Sequence, residues 1–200
     1  MTRANIIELV KAKIDELSPF TDVSLNTSID LVDKIIDDSA KTIMLAAPLY
    51  LLTPIELSTP TAARLNGVVK IDLPVDFLRL HSVKLTEWKI EVTDTIKTDN
   101  PLYKLQKYAP LRGGAQKPVV VIKSTPTHPV IECYSYIDVE TIDYIYYIKE
   151  LDPTETDATS FPDNISDIIS WQCAADVIGI MNGNPEKALL KVQEKLTIQK

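Results

Sequence analysis

Five basic side chains, Lys97, Lys104, Lys107, Arg112 and Lys117, fall in one short stretch of an otherwise acidic chain, with Tyr103 and Tyr108 among them. Cations interleaved with aromatic rings on a loop can meet phosphates with their charges and stack on exposed bases with their rings. The same residues have a plainer use, keeping a loop soluble or pairing with acidic groups on a neighbouring subunit, and no groove-reading motif accompanies them. Elsewhere the reactive residue types are scattered. His81 falls in a predicted strand and His128 in a proline-rich turn, both places that suit structural histidines. Cys133 and Cys173 lie in different predicted elements without metal-type spacing, and read as reduced, buried residues. Asp30, Asp33, Asp37 and Asp38 recur at helical spacing without the glycine of a calcium loop, so they read as a solvated face. Gly113-Gly114 lacks the Lys-Ser/Thr of a phosphate loop and the spacing of a dinucleotide fingerprint, and reads as a flexible loop. There is no Gly-x-Ser-x-Gly elbow. With no paired, positioned titratable groups, the expectation is a non-enzyme with no cofactor and no metal.

Composition narrows the partners. The 200 residues carry 21 basic and 28 acidic side chains, a formal charge of −7. Such a chain has no general attraction for phosphate backbones, which disfavours sequence-reading nucleic-acid binding. Hydrophobic residues make up 45% and mean hydropathy is +0.01, more apolar character than a monomer needs, which tilts toward an oligomer or a docked partner. The first residues lack the basic-then-apolar pattern of a signal peptide, and no apolar run approaches the roughly 20 residues that span a bilayer. The expectation is a soluble protein without a membrane partner.

The elements that would position these residues follow from periodicity. A first helix is predicted from about Asn5, whose side chain caps it, with Ile6, Ile7, Val10, Ile14 and Leu17 as one stripe and Ser18-Pro19 as its stop. Thr27 or Ser28 would cap a second helix, striped by Ile29, Val32, Ile35, Ile36, Ala40, Ile43 and Ala47 and ended by Pro48. Residues 53–60 read as a connector. Val69, Ile71 and Leu73 alternate as a half-buried strand. Apolar parity then slips twice between Leu78 and Val92, which predicts bulges or a turn. A short helix opened by Pro101 follows, then strands over 118–123, 130–137 and 142–150. The last of these is apolar on both faces and therefore central or covered. A helix over 162–182 buries Ile165, Ile168, Ile169, Cys173, Val177 and Ile180. Gly183 ends it, and Asn184 and Pro185 open a final helix with a thin seam of Leu189, Val192 and Leu196, a candidate docking helix. The fold class expected is α+β: a helical bundle from 1–52 and 160–200, interrupted by an antiparallel β-rich insertion over 53–159.

Three stretches carry a resemblance. They are Leu-Pro-Val-Asp-Phe-Leu-Arg-Leu-His-Ser-Val-Lys-Leu (Leu73 to Leu85), Pro-Leu-Tyr-Lys-Leu-Gln-Lys-Tyr with the later Gln-Lys-Pro-Val (Pro101 to Val119), and Phe-Pro-Asp-Asn-Ile-Ser-Asp-Ile-Ile-Ser-Trp-Gln-Cys-Ala-Ala-Asp-Val-Ile-Gly-Ile-Met (Phe161 to Met181). In these, and in its order of helices, β insertion and closing helices, the chain resembles the head-to-tail connector proteins of tailed bacteriophages. It is most similar to the ring or tail-tube-like adaptors of short-tailed and crAss-like phages. The resemblance implies a structural virion protein at the head-tail junction, assembled in the bacterial host cytoplasm. Such proteins form a ring with copies of themselves, usually twelve, beneath the portal or a neighbouring ring protein. They offer a docking surface to tail or other adaptor proteins and extend the channel through which genomic DNA passes without sequence-specific contact. The alternative is a nucleic-acid or ligand-binding accessory protein of helical-plus-β architecture.

Overall fold

In a computed structural model, the helical periods near the two ends and the alternating pattern between them become a mixed α+β fold. Among the described residues it has five α-helices and two antiparallel sheets. The structure describes residues 1–17, 25–134, 141–151, 162–181 and 183–198, without the side chains of 25–30, 65 and 198. The chain divides into two compact units, Met1–Thr53 with Glu150–Lys200 (the helical unit) and Pro54–Lys149 (the β unit). Residues 152–159, read from sequence as part of the β insertion, lie outside the described residues, as do 135–137, read as the end of a strand.

In the helical unit, α1 spans Arg3–Leu17. Its cap is Thr2 rather than Asn5, since the Thr2 hydroxyl accepts the Asn5 N–H at 3.4 Å and so satisfies a first-turn donor. Beside Ile6 and Val10 the helix buries Lys13. The next helix, α2, spans Leu25–Ala46, so Thr27 and Ser28 lie inside it and do not cap it. Val32, Ile36, Ala40 and Ile43 form its buried stripe, joined by Ser39 and Met44. Ile29 and Asp30 fall among the undescribed side chains. Asp33 and Asp37 are not merely solvated: Arg3 of α1 holds them at 2.9 and 2.7 Å. Pro48 stops the helix, and a 3₁₀ turn follows at Leu49–Leu51.

The β unit holds β1 (Ile55–Glu56), β2 (Ala62–Leu65), β3 (Val68–Asp72), β4 (Phe77–Leu85), α3 (Pro101–Leu105), β5 (Val119–Ser124), β6 (Pro129–Tyr134) and β7 (Ile142–Lys149). The connector of residues 53–60 therefore contains a short strand. One sheet has the order β1-β7-β4 and the other β2-β3-β6-β5. The doubly apolar β7 is the central strand of its sheet, with both edges paired. Where apolar parity slips, β4 shifts register against β7 at three places, between Phe77 and Arg79, Leu80 and Ser82, and Lys84 and Leu85. Asn66 and Gly67 join β2 to β3 with φ of 52° and 73°. Two successive positive φ values are what a two-residue hairpin turn needs for its twist to match the strands. Facing sides of the two sheets share one core, with Val69, Ile71, Val120, Ile131 and Cys133 from one, and Leu80, Val83, Leu85 and Ile145 from the other. Trp88 completes it.

The C-terminal part returns to the helical unit. There α4 (Asp163–Ile180) is buried on nearly every side, adding Trp171, Ala174, Ala175 and Ile178 to its stripe, because it contacts α1, α2 and α5 (Glu186–Ile198). Ile180, expected in the stripe, is instead exposed. A Cβ on Gly183 would lie 2.6 Å from the Ile178 side chain, so only glycine fits the break. Asn184 then accepts the Glu186 N–H at 2.9 Å and opens α5.

Candidate functional site

Strand alternation gives the β2-β3-β6-β5 sheet a second face, where Lys70, Lys123, Glu132 and Tyr134 project among valines, Val121 being fully buried. Glu132 is only 5% exposed. Its carboxylate accepts from Lys123 at 2.6 Å and from the Tyr134 hydroxyl at 2.7 Å, with Lys70 at 3.5 Å. Burial alone pushes the Glu132 carboxyl up, but Lys123, Tyr134 and Lys70 together hold it below its ordinary value. Burial likewise pushes Lys123 down, and Glu132 with Tyr103 more than offsets this, leaving it raised. The two partners agree: this is an ionised pair at neutral pH. Burial and Glu132 both push Tyr134 up, so its hydroxyl stays a donor.

The basic-aromatic segment is seated on this face. Ile96 bridges to β5, its N–H reaching the Val120 carbonyl at 2.9 Å. Tyr103 meets Tyr134 edge to face at 6.3 Å between ring centroids, and the Lys123 ammonium lies 4.9 Å over the Tyr103 ring. Asn100 caps α3 by accepting the Leu102 N–H at 2.9 Å, with Pro101 in first position. Beyond α3, Gln106 is buried. It donates to the Leu102 carbonyl at 2.9 Å and accepts the Gly113 N–H at 2.8 Å. Arg112 folds back, its Nε donating to the Gln106 carbonyl at 2.8 Å and its Nη1 to the Asn66 carbonyl. Gly113-Gly114 is not a flexible loop. A Cβ on Gly113 would stand 2.7 Å from the Val119 nitrogen, and Gly114 and Lys117 exchange backbone hydrogen bonds.

Of the residues singled out from sequence, Lys97, Lys104, Lys107, Lys117 and Tyr108 are exposed. Lys97 lines an open groove with Thr98, Asp99 and Lys123. Tyr103 and Arg112 are withdrawn into internal contacts, so they are not the free stacking and phosphate-binding groups of the sequence reading. On α5, Val192 is buried, Leu196 is half-buried and Leu189 is exposed, so the seam is split: Ala188 and Val192 face inward and Leu189 outward. Sequence reasoning passed over Leu102, Leu105 and Leu111, which with Tyr108 recur at every third position and stand exposed. That spacing was the available signal.

The other reactive types are engaged locally. His128 Nε2 lies 3.0 Å from Asp72. Cys133 and Cys173 are buried in different units. Among the described residues no three His, Cys, Asp or Glu side chains come together as a metal site requires, and no helix is long and apolar enough to cross a membrane. No protein-family model matches this chain, and neither does any curated protein.

Proposed function

We propose that the protein is a structural subunit of an oligomeric connector ring between portal and tail of a tailed bacteriophage, extending the DNA channel and giving tail components a surface to dock on. In this reading the helices of the two chain ends form one bundle and the antiparallel β-rich segment is an insertion in it. The observation that carries the reading is the division of the chain: Met1–Thr53 and Glu150–Lys200 fall in one unit and Pro54–Lys149 in the other, the order of parts that the connector resemblance implies. The acidic balance supports it physically, because a negative wall repels phosphate and lets DNA slide. Electron imaging of the chain mixed with the portal protein of the same genome tests the proposal. A ring on one end of the portal is the expected result and gives the copy number. Failure to bind, both to the portal and to a portal already carrying its first adaptor, overturns it.

The accessory-protein reading draws on one observation, the exposure of Lys97, Lys104, Lys107 and Lys117 with Tyr108. Under it, Lys104→Ala with Lys107→Ala would weaken DNA retention at physiological ionic strength and flatten its salt slope. Withdrawal of Tyr103 and Arg112 counts against it, since of the segment's two rings only Tyr108 stands exposed to stack on.

A further inference from the structure

An edge strand presents a row of unpaired N–H and C=O groups, and proteins ordinarily blunt it with charge, a bulge or a covering segment. The β2-β3-β6-β5 sheet has two such edges. On β2, the Asp72 N–H donates to the Thr61 carbonyl at 3.2 Å, so residues 61, 63 and 65 turn to β3 while Ala62 and Arg64 turn their backbone groups outward. On β5, the Val120 carbonyl accepts the Ile96 N–H at 2.9 Å, which puts the backbone groups of Val120, Ile122 and Ser124 on the outer side. The Ile96 bridge covers this edge as far as the Ile122 N–H and no further. Among the described residues, nothing pairs with the outward N–H and C=O of Ala62, Arg64 and Ser124, or with the Ile122 carbonyl.

The two edges match each other. All the strand pairings in this sheet are antiparallel, so across its four strands β2 and β5 run in opposite directions. A β2 laid on the β5 of another copy therefore continues the antiparallel order. The pleat agrees as well: Ala62 and Arg64 stand opposite Ile71 and Val69, on the core-side face where Ile122 also packs. With Ala62 set against Ser124 and Arg64 against Ile122, Ala62 and Ser124 exchange both their bonds and Arg64 donates to the Ile122 carbonyl. Open grooves flank the receiving edge. One is lined by Val75, Phe77, Leu78 and Pro126, the other by Lys97, Thr98, Asp99 and Lys123. An incoming Ala62 enters the first and Ala63 the second. Alanine is depleted in strands, yet β2 places two in succession and leaves both exposed. Small side chains at these positions are what grooves on either side of an edge admit.

We propose that β2 of one copy pairs antiparallel with the free end of β5 of the next, joining their sheets edge to edge. The contact joins two different surfaces, so its repetition closes into a ring or runs on as a filament. Closure into a ring rests on the connector reading, whereas the pairing rests on the sheet alone.

Disulfide trapping in the full chain tests this. Ala62→Cys with Ser124→Cys sets the new thiols at the roughly 5.5 Å Cα separation of a hydrogen-bonded pair, which a disulfide spans. Within one chain the two positions lie three strand spacings apart, about 14 Å, too far to join. Oxidation should give a ladder of multimers that a reductant collapses, and the buried native cysteines take no part. Ala63→Cys with Ser124→Cys, on opposite faces, should link at least about fivefold less. Arg64→Pro removes one outward N–H and spares the pairing with β3, because proline is tolerated on the open side of an edge strand. In the double-cysteine chain it should cut the ladder at least about fivefold. Should Arg64→Pro loosen the hairpin, hydrogen exchange of the unaltered chain decides, the Ala62, Arg64 and Ser124 amides slowing as concentration rises. No ladder, an equal ladder from the opposite-face pair, or exchange indifferent to concentration overturns the proposal. So do dimers from either single-cysteine variant in the amount the double variant gives, since the contact would then be homotypic. Portal imaging separates the two claims. Rings formed equally well by the Arg64→Pro chain would sink this pairing and leave the ring reading. A ladder without any portal binding would do the opposite.

Discussion

Glu132 shows how a single residue couples the β unit to pH. It is buried beside Tyr134, with Lys123 and the exposed Lys70 reaching it, and these three hold its folded pKa below the ordinary value of 4.5. A depressed carboxylate contributes stability that is full above the unfolded value and is lost as pH falls through the folded one. Unfolding of the β unit should therefore be insensitive to this group above pH about 5 and weaken below it, as denaturant midpoints measured across acid pH would show. Glu132→Gln should remove that part of the acid sensitivity and destabilise by about 1–3 kcal/mol, because Lys123 and Tyr134 lose a charged acceptor. Cys173 behaves oppositely to a reactive thiol. Burial pushes its pKa up to about 12, so at neutral pH the thiolate is all but absent. It should resist alkylation in the folded protein and react on addition of denaturant, as mass spectrometry of iodoacetamide-treated protein would register. The sequence already pointed to buried cysteines, since free cysteine is among the most buried residue types and neither has metal-type spacing. It could not reveal that Arg3 would pair with Asp33 and Asp37, or Lys13 with Asp167, because those meetings depend on how separate helices cross.

Elements were legible wherever period and breakers agreed. The stripe of α2 and its stop at Pro48, the short helix opened by Pro101, the irregular β4 and the central β7 all follow from alternation, parity and proline chemistry. The β2-β3 hairpin was missed although Asn66-Gly67 is a strong turn signal, because β2 has no alternation: Ala62, Ala63 and Arg64 are all exposed. Gly113-Gly114 was misread for a different reason. A close approach of β5 to Gly113 is tertiary and leaves no mark on local sequence. Gly113→Ala should cost about 1–3 kcal/mol in thermal or denaturant unfolding, since the added Cβ collides with backbone. The split seam of α5 gives a paired expectation. Val192→Ala should destabilise by about 1–2 kcal/mol, whereas Leu189→Ala on the outer side should stay within about 0.5 kcal/mol. Equal losses at the two positions would contradict the packing.

At the scale of the whole molecule, charge is unevenly shared: the helical unit carries nine basic against seventeen acidic side chains, −8, and the β unit twelve against eleven, +1. Self-repulsion in a compact acidic body is relieved by counterions, so moderate salt should raise the stability of the helical unit and leave the β unit nearly unchanged. The chain provides its own means of reading the two responses. Each unit buries one of the two tryptophans, Trp171 on α4 and Trp88 in the shared sheet core. The protein is thus a two-channel fluorophore with one emitter per half. With Trp88→Phe the remaining emission reports the helices, and its midpoint should climb with salt. With Trp171→Phe it reports the sheets, and its midpoint should stay put. Overlaying the two unfolding curves then distinguishes halves that melt together from halves that melt in turn, with no extrinsic dye.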